Sequence, residues 1–145
     1  MKLSTKMRYG TRGLVELALH YDQGPLSLAD IAEREEISVK YLESLLALLR
    51  AGSLVRSVRG AQGGYELSRA PGEITLRDVF EVLEGPEAFV PCTHDHAACS
   101  RWPECVTQQV WAQMYGAAMQ VLEKTTLADL AEQSQARHGI LAYDI

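Results

Sequence analysis

The segment from Ser38 to Leu67 constrains the fold more than any other stretch. Ser38 can cap a helix running to about Ala51, with Tyr41, Leu42, Leu45, Leu46, Leu48 and Leu49 available for packing and Gly52 placed to stop it. Leu54 to Val58 and Tyr65 to Leu67 then read as two short strands, joined by Arg59-Gly60-Ala61-Gln62-Gly63-Gly64. A capped helix followed at once by a glycine-turned hairpin predicts a reading helix with a wing. Glycines let the loop tip bend and approach another surface closely. Arg56 and Arg59 put cations beside it, where an arginine can enter the negative potential of a narrow minor groove. A phosphate-cradling loop is disfavoured, because neither G-x-G-x-x-G nor G-x-x-x-x-G-K-S/T is present. Taken alone, the loop is also compatible with a hairpin that binds nothing.

The flanking sequence supports the same architecture. Ser4 can cap a helix with apolar positions Met7, Leu14, Val15, Leu17, Ala18 and Tyr21, closed by Gly24-Pro25. Ser27, with Asp30 three residues on, opens a short helix that buries Leu28, Ile31 and Ala32. This helix and the next make a helix-turn-helix, although an ordinary helical hairpin has the same pattern. Thr75 caps a further helix through Leu76, Val79, Phe80, Val82 and Leu83, closed by Gly85-Pro86. From about Pro103 to Lys124 the helical pattern returns with two apolar stripes: Val106, Val110, Met114, Ala117 and Val121, then Trp111, Tyr115, Ala118 and Leu122. So small a chain has material to cover one of them, which predicts a homodimer; the alternative is that both belong to one monomer's core. Thr126 begins a short last helix through Leu127 and Leu130, and nothing is read from Arg137 onward.

Charge divides the chain. Its net charge of −5 argues against a polyanionic partner for the whole, but residues 1–70 carry ten Lys or Arg against eight Asp or Glu. Residues 71–145 carry four against eleven, so a nucleic acid should meet the first half. No apolar run approaches the roughly 18 residues of a membrane span, and a cytoplasmic protein with no membrane partner is expected.

All three cysteines, Cys92, Cys99 and Cys105, fall within PCTHDHAACSRWPEC, with His94 and His96 between the first two. An odd count disfavours a disulfide framework, and a metal or cluster is the stronger reading. Iron-sulfur clusters are held by thiolates, and three closely spaced cysteines supply three of them. Zinc with three Cys and one His is the rival, although structural zinc sites favour closer Cys pairs. Three bare thiols sensing oxidants are the other alternative. An electron carrier would have no use for a basic first half and a wing. Catalysis at His94-Asp95-His96 lacks any accompanying signature, and no enzyme is expected.

Taken together, MKLSTKMRYG, ISVKYLESLLALLRAGSLVRSVRGAQGGY, EITLRDVFEVLEGP, the three cysteines and CVTQQVW resemble the IscR/NsrR/CymR-type family of winged helix-turn-helix regulators, many of which bind an iron-sulfur cluster. The resemblance implies a mainly α fold with a small β-hairpin wing, comprising a winged helix-turn-helix DNA-binding domain over 1–84 and a cysteine loop with a long dimerisation helix over 85–145. It implies a dimeric transcription factor, taken here as a repressor, on a double-stranded DNA operator. Lys40, Tyr41, Glu43 and Ser44 would face the groove, with Ser38 and Arg50 at the ends of the same helix, and Arg56, Arg59 and Gly60 would serve the wing. Ser4, Thr5, Lys6 and Tyr9 would lie near backbone phosphates, and Val106, Val110, Trp111, Met114, Ala117 and Val121 would form the dimer contact. Cys92, Cys99 and Cys105 would hold the cluster, a 2Fe–2S core in preference to 4Fe–4S. The fourth ligand is left open: the positions that supply it in three branches of the family hold Gln108, Arg8 and Arg12 here. His94, His96, Asp95 and Glu104 are the nearby donors, a histidine preferred.

Overall fold

The computed structural model describes residues 2–85 and 89–143, with side chains through residue 139. Helix α1 (Thr5–Leu19) starts where Ser4 Oγ accepts the Met7 amide at 3.1 Å, and it buries Met7, Gly10, Leu14, Leu17 and Ala18 along one face. It ends earlier than the Gly24-Pro25 signal suggests. Asp22 takes a left-handed conformation at φ 63°, which a short polar side chain tolerates, so Tyr21 lies outside the helix and exposed. Helix α2 (Leu28–Glu35) is capped by Ser27 Oγ on the Asp30 amide, buries Ile31 and Ala32, and closes on Glu36 at φ 53°. Arg12 holds α1 to α2 through Glu35 at 2.7 Å. Burial pushes the Glu35 carboxyl up, and Arg12 opposes that shift.

Helix α3 (Val39–Ala51) is capped by Ser38 Oγ on the Tyr41 amide at 3.2 Å and ends at Gly52. Leu42, Leu45, Leu46 and Leu49 are buried. Leu48 is 43% exposed, because at about 100° per residue it turns away from that stripe. Strands β1 (Val55–Val58) and β2 (Gly64–Leu67) pair antiparallel, Val55 opposite Leu67 and Val58 opposite Gly64. The hairpin is fastened to the chain before α2 by a bridge in which Leu26 and Tyr65 exchange backbone hydrogen bonds of 3.0 and 2.8 Å. That approach is possible because residue 64 has no side chain: a Cβ there would lie 2.0 Å from the Leu26 carbonyl oxygen.

Helix α4 (Leu76–Leu83) opens with a reciprocal capping box between Thr75 and Asp78 and buries Val79, Phe80 and Leu83. It is over by Glu84; of the expected Gly85-Pro86 stop, Pro86 lies outside the described residues. Among the described residues three single 3-10 turns follow, Pro91–Thr93, His96–Ala98 and Trp102–Glu104, and none contains a fully buried residue. Helix α5 (Gln108–Lys124) therefore begins five residues later than Pro103. Cys105 is extended at ψ 107°, and with nothing packed on Val106 no apolar contact rewards an earlier start.

The last helix is the larger correction. Helix α6 runs Leu127–Tyr143, as long as α5, and it packs along α1. Residues 131–137, AEQSQAR, contain good helix formers without an apolar stripe, so periodicity could not reveal them. Met119, Leu127 and Ala131 join the same buried cluster as Leu14, Ile31, Leu46 and Val79.

Two substitutions test this packing by urea unfolding. Leu46→Ala, at a fully enclosed site, should cost about 2–5 kcal/mol. Gly64→Ala should cost about 1–3 kcal/mol by forcing the hairpin away from Leu26.

Candidate nucleic-acid interface and cysteine loop

Helix α3 presents Lys40, Glu43 and Ser44 on its exposed side. Tyr41 is half-buried and meets Tyr9 edge-on, ring centroids 6.1 Å apart, so these two rings set the spacing of α1 and α3. Ser44 Oγ donates to the Tyr41 carbonyl at 2.6 Å, and Ser38 is occupied as the cap. Arg50 donates to Ser57 Oγ at 3.3 Å and links the end of α3 to β1. Arg56 sits opposite Glu66 in the hairpin register and pairs with it at 2.7 Å, which balances its charge locally. Arg59 stands exposed at the turn without an ion pair among the described residues, beside Gly60 at φ 117° with open space around it. The wing thus carries one uncommitted cation at its tip.

Along α1, Thr5 and Lys6 are exposed. Ser4 is committed elsewhere: besides capping α1, its amide donates to Glu84 Oε1 at 3.1 Å and its hydroxyl donates to the same oxygen. Arg8 and Arg12, which stand where branches of the family place a cluster ligand, flank the Tyr9 ring at 5.8 and 5.2 Å. The signal for them was their i−1 and i+3 spacing about Tyr9.

The three cysteines are free thiols, Cys99 exposed and the other two half-buried, each on or next to a different 3-10 turn. Among the described residues no three Cys, His, Asp or Glu side chains gather into a group that could hold a metal ion. The loop brings its donor side chains near in sequence without closing them on a common point.

Its donor chemistry nevertheless fits an iron-sulfur core. Cys105 Sγ lies 3.3 Å from Thr107 Oγ1, and hydrogen bonds from that hydroxyl, then from the Thr107 and Gln108 amides, hold its thiol below the ordinary range. Thiolate is the ligating form. The indole Nε1 of Trp102 is buried without a partner among the described residues, a donor facing no acceptor. Sequence reasoning passed over Thr107 and Trp102; their only signal was position, two residues after Cys105 and midway between Cys99 and Cys105.

The two stripes of α5 separate at every position but Trp111. Tyr115, Ala118 and Leu122 pack against the core, so the second stripe is internal. Val106 (85% exposed), Val110, Met114, Ala117 and Val121 (65%) face outward, and Trp111, placed by spacing in the second stripe and by the resemblance on the dimer face, lies exposed with them. One monomer's core does not take both. Among the described residues no helix is long and apolar enough to cross a membrane.

Residues 3–133 match the family model described as Rrf2, iron-dependent transcriptional regulator. The chain is 43% identical over 130 residues to the protein rrf2 of Nitratidesulfovibrio vulgaris, covering 90% of this chain and 87% of that one. It is 43% identical over 131 residues to the HTH-type transcriptional regulator CymR of Bacillus subtilis, covering 90% of each. The solved structure of that protein, titled CymR (YrzC), the Global Cysteine Regulator, superposes with a TM-score of 0.78 at 41% identity over 92% of this chain and 98% of that one. The structure of T. potens IscR superposes at 0.76 with 42% identity over 92% and 88%. CymR and IscR are named as regulators of transcription, not as enzymes. Winged-helix architecture and family match agree, and the chain is a DNA-binding transcriptional regulator of the Rrf2 family.

Proposed function

We propose that this regulator acts as a homodimeric repressor on a double-stranded operator, and that an iron-sulfur cluster on Cys92, Cys99 and Cys105 sets its affinity. One observation carries the reading: the loop holding every cysteine lies between α4 of the DNA-binding head and the exposed apolar face of α5. A contiguous apolar face on a small protein marks an association surface. Val106, Val110, Trp111, Met114, Ala117 and Val121 form it, and a second copy supplies the same face by twofold symmetry.

The loop touches α5 at both of its ends. Phe89 packs on Tyr115 with ring centroids 5.5 Å apart, the Pro91–Thr93 turn rests on α5, and Cys105 bonds to Thr107 just ahead of it. No residue of the three turns belongs to the buried core cluster, so drawing the three sulfurs together leaves that cluster intact. A bound cluster would supply a core that oxidants and iron scarcity can alter or remove. The residues of the loop then translate its order into the pose of α5. Two heads must reach half-sites about 34 Å apart or a multiple of it, so a small change of pose alters affinity strongly.

On DNA, Lys40, Glu43 and Ser44 face the groove, and Glu43 suits cytosine N4 as an acceptor. Lys6 and Thr5 lie near phosphates, Tyr9 and Tyr41 position α1 against α3, and Arg59 with Gly60 forms the wing contact, while Ser4, Ser38, Arg50 and Arg56 hold the scaffold. A second reading rests on Cys105: its lowered thiol and the two free companions suit metal-free sensing by oxidation.

Anaerobically purified protein should contain iron and acid-labile sulfide, and Cys99→Ala should remove both. Stoichiometric zinc without sulfide would overturn the cluster, and thiols with neither would leave the oxidation reading. Arg59→Ala should weaken binding to DNA upstream of the protein's own coding region about tenfold, or about 1.4 kcal/mol. It should also flatten the salt dependence by about one phosphate contact. An unchanged affinity across salt concentrations would count against the wing.

A further inference from the structure

Three thiols leave an iron-sulfur core one ligand short, and four side chains in the loop have a donor atom to offer. Asp95 is engaged, its Oδ1 accepting the Ala97 amide at 3.0 Å as the cap of the His96–Ala98 turn. Glu104 is an exposed carboxylate, a hard donor less suited to iron bound by sulfide. His94 is exposed and has no ring stacked on it among the described residues. His96 differs from all three.

Its imidazole lies face to face on the indole of Trp102, centroids 3.8 Å apart and planes 20° from parallel. Trp102 is fixed in turn to both neighbouring cysteines: its amide donates to the Cys99 carbonyl at 3.1 Å, and its carbonyl accepts the Cys105 amide at 3.3 Å. A ring stacked on Trp102 therefore belongs to the same backbone unit as two of the thiols. Stacking restricts the imidazole plane but leaves the nitrogen lone pair free, since that lone pair lies in the plane and points out from the edge. The ring loses its rotational freedom before any ligand arrives, which lowers the entropy cost of binding one.

The same pair answers the unpartnered donor. Trp102 Nε1–H is buried and lacks an acceptor among the described residues, and such a group is costly unless something accepts its proton. A thiolate or sulfide sulfur is a fitting acceptor, and hydrogen bonds to sulfur tune cluster potentials.

We propose that His96, held by Trp102, is the fourth ligand of the cluster, and that Trp102 Nε1–H donates to one of its sulfurs. This rests on the cluster reading above.

Full-length protein labelled with 15N-histidine, reduced anaerobically to the paramagnetic state, tests it by pulsed electron paramagnetic resonance. A strong coupling to histidine nitrogen is expected in the parent chain and in His94→Ala. His96→Phe, which keeps a ring for the stack, should lose that coupling or the cluster with it. His96→Cys should regain iron and sulfide without nitrogen coupling, which separates ligation from mere packing. A coupling that survives His96→Phe, or a parent chain that loads the cluster and shows none, overturns the assignment while leaving the cluster in place. A parent chain without iron and sulfide overturns the assignment together with the cluster reading. Trp102→Phe should keep the coupling and move the reduction potential downward; an unchanged potential removes Trp102 as a donor.

Discussion

Two backbone hydrogen bonds fix one end of the long helix α5 to the start of α4. Leu127 donates to the Ile74 carbonyl at 3.0 Å and Leu76 donates to the Thr125 carbonyl at 2.8 Å, making an isolated bridge between Thr75 and Thr126. Ile74 and Leu127 are fully enclosed, so water does not compete for these bonds. The bridge fixes the C-terminal end of α5 to the start of α4. The other end of α5 lies about 25 Å away at 1.5 Å per residue, where Cys105 and the loop join it. Between these ends Tyr115, Ala118, Met119 and Leu122 seat α5 on the core, so the cysteine loop adjoins the end of the helix that lies beyond that packing.

The head is tied to the same loop from the opposite side. Glu84, the last residue of the α4 region before Gly85, accepts both the amide and the hydroxyl of Ser4 at the start of α1. Helix α1 meets the reading helix through Tyr9 and Tyr41. The segment entering the cysteine loop is therefore connected by short contacts to α1 and α3, and the segment leaving it is connected to the exposed α5 face. No long-range path through the core is needed to relate the two.

Local chemistry was legible in the sequence, and contacts between distant segments were not. Ser4, Ser27, Ser38 and Thr75 all cap the helices assigned to them, because capping depends on residues three apart. The wing followed from glycines whose role is local, and the outward stripe of α5 followed from periodicity. Residues 131–137 form helix α6 without an apolar rhythm, so only their packing on α1 exposes them as structure. Ser4 looked available to phosphates because its bond to Glu84 spans 80 residues. Three cysteines close in sequence suggested a formed metal site, yet separate 3-10 turns keep them from gathering as described. The stack of His96 on Trp102 joins side chains six residues apart across two separate turns, a contact that no sequence pattern marks.

The central claim is that the cysteine loop governs operator binding, and one titration tests it most directly. Operator affinity is measured anaerobically on a single sample before and after iron is stripped by a chelator, and again after iron and sulfide are restored. A reversible change of at least about tenfold, or about 1.4 kcal/mol, is expected, and it should be absent from Cys99→Ala. Equal affinities in the loaded and stripped forms, or the same change in the chain without Cys99, would contradict it.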